Sequence, residues 1–256
     1  MELSEKISIL PILLNLKRKV VAVRIIKNKK EYDSINAKEI KSKVTYCYMI
    51  KRGGSGQHFK SKADNFWCVG ASKALGLIDV PENVISGEVY ESLGLYIDRE
   101  VAKSAQEDIK YIEERNYGIE VFPLEDYPNR KFDVAIIVDT SYPIMRIAQG
   151  YSYYYGINKS IRIGGNQAIC SESTATPYLE DDINISMLCS GTRFFAKWDE
   201  NDISIGIPYS KMNNIIDGII NTINPTEPNE KKLRIIEELS KKGIDLGIEL
   251  DKNYYI

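Results

Sequence analysis

The stretch FDVAIIVDT, residues 132–140, constrains the fold more than any other part of the chain. Its run of apolar and β-branched side chains reads as a strand buried on both faces, and such a strand needs a covering layer on each side. The segment after it, SYPIMRIAQGYSYYYG at 141–156, carries the punctuation of a helix, with Pro143 in the first turn and Gly156 just beyond the end. KVVAVRII at 19–26 and ISIGIP at 203–208 read as further strands, and IEVFPL at 119–124 as another. Strands alternating with helices predict an α/β or α+β fold with a mixed sheet flanked by helices.

Other segments fill the layers. Leu3, Ile7, Leu10 and Leu14 form one face of an N-terminal amphipathic helix. SINAKEIKSKVTYCYMIKRGG, 34–54, reads as one helix ended by its Gly pair. SKALGL predicts a short helix stopped at Gly76. DREVAKSAQEDIKYIEERNYG, 98–118, reads as a helix capped by Asp98, with Val101, Ala105, Ile109 and Ile112 on its face and Gly118 as its stop. YSKMNNIIDGIINTI is a helix, NPTEPN at 224–229 a linker, and EKKLRIIEELSKKG an amphipathic helix followed by IDLGIEL as an added strand. The expected organisation is one domain over 1–225 with an extension over 226–256. A loose parallel, strand then Tyr-containing helix then Cys-x-Gly, occurs twice and fits an internal duplication.

Bulk numbers exclude several functions. The 256 residues carry a formal net charge of −2, and no basic run marks a nucleic-acid footprint. No apolar run reaches the ~18–20 residues of a membrane span, and acidic residues precede the first apolar stretch, against a signal peptide. A cytoplasmic protein is expected. Four cysteines in such a compartment do not predict disulfides.

The placement of those cysteines is more informative. Cys68 and Cys189 sit in matching frames, NFWCVGASK and NISMLCSGTR, each with Cys-x-Gly followed by a cation. Cys170 follows GGNQAI, with Gly164 and Gly165 just before it, and Cys47 lies in TYCYMI with no glycine beside it. There is no C-x-x-C pair, so structural zinc and disulfide exchange read poorly. Dispersed cysteines can hold an iron–sulfur cluster, but spacing alone does not argue for one. Buried cysteines are also ordinary small hydrophobes. Gly70 and Gly191 would let backbone N–H groups approach a ligand or sulfur, and Lys73 and Arg193 could offset thiolate charge or bind an anion.

Other candidates stand apart from the cysteines. His58 is the lone histidine, in GQHF, with no nucleophile motif around it. RGGSGQH follows a helix rather than a strand and so fails as a phosphate loop. Asp139 ends the strongest strand, where open α/β sheets bind ligands, although a helix cap explains it equally well.

FPLEDYPNRKFDVAIIVDTSYPIMRIAQGYSYYYG, AICSES, LCSGTR…WDENDISIGIP and the C-x-G-x-x-x-A-L-G-L around Cys68 together resemble the domain of unknown function 169 family, over about residues 5–220. That family is uncharacterised and spread among anaerobic bacteria and archaea. Its pattern has cysteines at the places of Cys47, Cys68, Cys170 and Cys189, so every cysteine here falls on a family position. The resemblance therefore implies a 4Fe–4S cluster ligated by the four, with an electron-transfer partner. The competing expectation is a metal-free pocket for a small anionic metabolite, lined by the cysteines together with Arg193 and Asp139.

Overall fold

A computed structural model describes residues 1–251; residues 252–256, the end of the expected extension over 226–256, lie outside the described residues. The strands are β1 (Val21–Ile26), β2 (Lys38–Glu39), β3 (Phe59–Lys62), β4 (Gly118–Pro123), β5 (Val134–Asp139), β6 (Asn184–Ser186) and β7 (Ile203–Pro208). The helices in chain order begin with α1 (Leu3–Leu14), α2 (Lys29–Ser34), α3 (Tyr46–Gly54), α4 (Val69–Ala74), α5 (Glu82–Ile85), α6 (Glu88–Ser92) and α7 (Arg99–Asp108). They continue with α8 (Ser141–Tyr155), a π-helical segment (Ala168–Ala175), α9 (Thr176–Glu180), α10 (Ser190–Ala196), α11 (Tyr209–Asn221), α12 (Ile223–Thr226) and α13 (Asn229–Ser240).

The strands form one sheet of order β2-β3-β4-β1-β5-β7-β6. It is mixed: β2 and β3 run parallel, and the other neighbours run antiparallel. β5 sits between β1 and β7, buried along its whole length. Side chains that alternate along a strand divide between the two faces. Ala135 and Ile137 of β5 join Ala22, Ile205 and Ile207 in a core covered by α1, α8, α11 and α13. Val134, Ile136 and Val138 join Val21, Val23 and Ile25 in a second core, covered by α3, α4 and the π-helical segment. All four cysteines pack against this second core. The expected helix-flanked mixed sheet is the observed architecture.

Several elements differ from expectation, among them residues 224–226 of the expected linker, which fall in α12. The helix expected over 34–54 starts only at Tyr46, because residues 38–39 pair with β3 and Thr45 caps the helix by accepting the Tyr48 N–H. The helix expected to run to Gly118 ends at Asp108; beyond it, Ile112 donates its N–H to Ala74 and Asn116 to Gly76. Asp98 does cap it, but Ala102 and Gln106 are its buried residues and Val101 is exposed. IDLGIEL is not a strand. Its Ile244, Leu246 and Ile248 lie against the first core, which is walled by helices and offers no sheet edge to pair with.

Candidate functional site

Four separate segments bring the cysteines to one cavity. Cys47 is in the first turn of α3, Cys68 precedes α4, Cys189 precedes α10, and Cys170 lies in the π-helical segment. Such π-helical insertions concentrate at functional sites. All four line a cavity of about 540 Å³, within the ~300–1,000 Å³ of ordinary ligand pockets. The rest of its wall is mostly apolar, including Ile169, Val69 and, from α5 and α6, Val84, Val89 and Leu93. Each cysteine is half-buried and none is in a disulfide.

Burial favours the protonated form of three of the thiols. It pushes Cys47 and Cys68 above the ordinary thiol value and Cys170 well above it. The neighbouring thiols add to the rise: Cys170 feels Cys68, Cys189 and Cys47. Several polar groups work the other way. The hydroxyls of Thr45 and Thr192 favour the Cys47 thiolate, the amides of Ala71 and Gly70 that of Cys68, and the Ser171 amide that of Cys170. Cys189 Sγ accepts the Thr192 N–H at 3.3 Å and lies 3.1 Å from Thr192 Oγ1. Without a cation the cavity therefore favours neutral thiols at Cys47, Cys68 and Cys170; a metal bound there would have to displace their protons. Among the described residues, no group of three or more His, Cys, Asp or Glu is placed to hold a single metal ion.

The remaining candidates divide between this cavity and other places. Gly70 lines it. Gly191 stands behind Cys189, where a Cβ would lie 3.8 Å from Sγ, but Thr192 supplies the N–H. Lys73 is fully buried behind the wall. Its Nζ donates to Gln106 Oε1 at 3.1 Å and sits 4.8 Å from the Tyr111 ring centre, and burial lowers its pKa. Arg193 turns to the backbone, donating to the carbonyls of Met187 (2.9 Å), Asp202 (3.1 Å) and Asp199. Gly164 and Gly165 donate their N–H groups to Glu172 Oε1 at 2.7 and 2.9 Å. His58 Nε2 lies 2.6 Å from the buried Glu120, which Arg130 also meets at 2.5 Å. Asp139 accepts the Lys17 and Thr140 N–H groups and lines a different cavity, of about 560 Å³, between α1, α8 and α13.

Sequence reasoning missed Asn83, Tyr90, Asn166, Gln167 and Thr192, which add polar groups to the cavity wall. Gln167 Nε2 donates to the Tyr90 hydroxyl at 2.9 Å and to Gln106 Oε1 at 3.1 Å, while its own Oε1 is buried without a partner. Thr192 was detectable as the residue three positions after Cys189, the spacing at which a capped helix offers its N–H.

A family model described as an uncharacterised ArCR matches residues 10–218, a span that holds all four cysteines. The chain belongs to the domain of unknown function 169 family. The matched span ends within α11, so α12 and α13 fall outside it. An uncharacterized protein of Methanocaldococcus jannaschii is 25% identical over 224 residues, covering 85% of this chain and 94% of that protein. No solved structure matches the chain. No helix among the described residues is long and apolar enough to cross a membrane.

Proposed function

We propose that this member of the family is a cytoplasmic redox protein that binds a 4Fe–4S cluster through Cys47, Cys68, Cys170 and Cys189. The observation that carries the reading is the convergence of all four cysteines, from four separate segments, on one largely apolar cavity. Burial raises Cys47, Cys68 and Cys170 above the ordinary thiol value, which disfavours the nucleophilic thiolate at those three. A cluster gives them a use: iron replaces the protons and neutralises the thiolates. The Thr192 N–H and the amides near Cys68 and Cys170 would then donate to sulfur, which raises a cluster's potential.

A single zinc ion is a poorer fit. Zn–S bonds of ~2.3 Å need sulfurs roughly 3.8 Å apart, and the described residues offer no such group. A multi-iron cluster spreads its thiolates over a larger tetrahedron. The competing reading, a metal-free pocket for a small anionic metabolite, draws support from the cavity's volume. It lacks a counter-charge: no Lys or Arg lines the wall. With four thiolate ligands no iron is left open, so the cluster would carry electrons rather than activate a substrate.

The test is anaerobic reconstitution followed by absorption spectroscopy with iron and sulfide analysis. The expected result is a broad band near ~400 nm with about four irons and four sulfides per chain, absent in Cys189→Ala. A colourless protein after reconstitution overturns the reading.

A further inference from the structure

Outside the cavity, large apolar side chains stand exposed beside three of the four cysteines. Tyr48 follows Cys47, Trp67 precedes Cys68, and Phe194 and Phe195 lie on α10, directly after Cys189. Trp67 and Phe195 are 46% and 47% exposed, and their rings meet edge-on with centroids 4.5 Å apart. Together with Tyr48 they wall a shallow groove of about 360 Å³. Exposed aromatic clusters of this kind are enriched in protein interfaces.

The charged side chains that line the groove have one sign. Lys43 and Arg52 line it, and no Asp or Glu does. Lys197 stands beside it, with Nζ 4.8 Å from the ring centre of Phe194, whose ring in turn meets that of the lining Phe195 at 5.0 Å. Arg52 lies 5.8 Å from the Tyr48 ring centre and donates to Gln57, a neutral side chain. Among the described residues, none of these three cations takes part in an ion pair. A cationic face on a chain of net charge −2 is a local feature, not a reflection of composition. It also argues against pairing with a second copy, since a two-fold contact would set like charges together.

We propose that this aromatic, cationic face is the docking surface for an acidic electron-carrier protein serving the cysteine site. The step is the transfer of one electron: the carrier's reduced centre is oxidised, the cluster is reduced by the same electron, and no bond forms or breaks. Electron-transfer encounters are small, weak and steered by charge, which suits a shallow groove with an unpaired cationic rim. The electron's destination rests on the cluster reading above; the docking surface does not, and the experiment separates them.

The probe is a plant-type 2Fe–2S ferredoxin, an acidic protein, joined to this chain by carbodiimide, which links a lysine amine only to a carboxylate in direct contact. The expected product is a one-to-one adduct through Lys43 or Lys197. Its yield should fall about tenfold or more on raising the salt to ~0.5 M, or in the Lys43→Glu/Arg52→Glu double variant. Adducts through other lysines, adducts between two copies of this chain, or no adduct overturn the proposal. In the reconstituted protein, the same double variant should slow electron transfer from reduced ferredoxin about tenfold at low salt, with reduction by dithionite unchanged. A colourless protein that still forms the Lys43 adduct removes the cluster and keeps the surface. A coloured protein cross-linked elsewhere does the reverse.

Discussion

Raising the pH should destabilise the cluster-free protein, and the thiols set how steeply. In an unfolded chain a cysteine titrates near ~8.5. In the folded protein burial holds Cys47, Cys68 and Cys170 above the ordinary thiol value. A raised folded pKa means the native state keeps protons that the unfolded state has already lost. The stabilisation is therefore complete below ~8.5 and is lost as pH rises towards the folded values. In that window each such thiol lowers stability by at most ~1.4 kcal/mol per pH unit. Cys170, held well above the ordinary value, contributes that slope across the widest window, and Cys47 and Cys68 contribute over narrower ones. Tyr46 and Tyr90 are also held above their ordinary value of 10.0, so their share arises at higher pH. Urea unfolding of the cluster-free protein at pH 8, 9 and 10 measures the slope. Cys170→Ala should reduce it by at most ~1.4 kcal/mol per pH unit. An identical slope in wild type and variant would refute the claim that the cavity holds a buried, protonated thiol at this position.

Two further outcomes follow from close contacts. At Gly218 of α11 a Cβ would lie 2.0 Å from the Gly150 carbonyl oxygen of α8, so Gly218→Ala must drive the two helices apart. The expected loss is about 1–3 kcal/mol by urea unfolding, larger than the ~0.5–1 kcal/mol that alanine gains in a helix; a stability equal to wild type would contradict that close approach. Arg193→Ala releases three backbone carbonyls and should cost about 1–3 kcal/mol, while the redox potential of the reconstituted protein stays unchanged; a shifted potential would return Arg193 to a charge-balancing role at the sulfurs.

Much of the framework was legible because its signals are local. β5 and α8 announce themselves through an apolar run, a first-turn proline and a terminal Gly156 with φ of +73°. α1 was visible from its spacing, and Ile7, Leu10 and Leu14 are buried as that spacing requires. The errors arose where tertiary pairing overrides local pattern. Residues 38–39 have little strand character; they are a strand because β3 is beside them. α7 reads as amphipathic through Val101, yet it buries the opposite choice, Gln106, because Lys73 and Gln167 need that side chain's oxygen. The tail beyond α13 carries strand-like alternation but reaches a helix-covered face, so its apolar residues pack without pairing.

The same contrast applies to the site. Both Cys-x-Gly frames were visible as strings, and both cysteines precede short helices, Cys68 before α4 and Cys189 before α10. Their convergence with Cys47 and Cys170 depends on how four segments cover one sheet face, which no spacing encodes. The cations misled because both side chains found oxygen acceptors of their own, Lys73 on Gln106 and Arg193 on backbone carbonyls. Lys73, Gln106 and Gln167 then form a buried chain reaching the cavity wall, with Gln106 Nε2 and Gln167 Oε1 left without partners. Buried polar atoms without partners occur elsewhere as well, Asn116 Oδ1 and Glu125 Oε2 among them, so what sets this pair apart is its place beside the cavity. Gln167 Oε1 borders the cavity that the four cysteines share, where a bound group would supply the hydrogen bond that the protein itself does not.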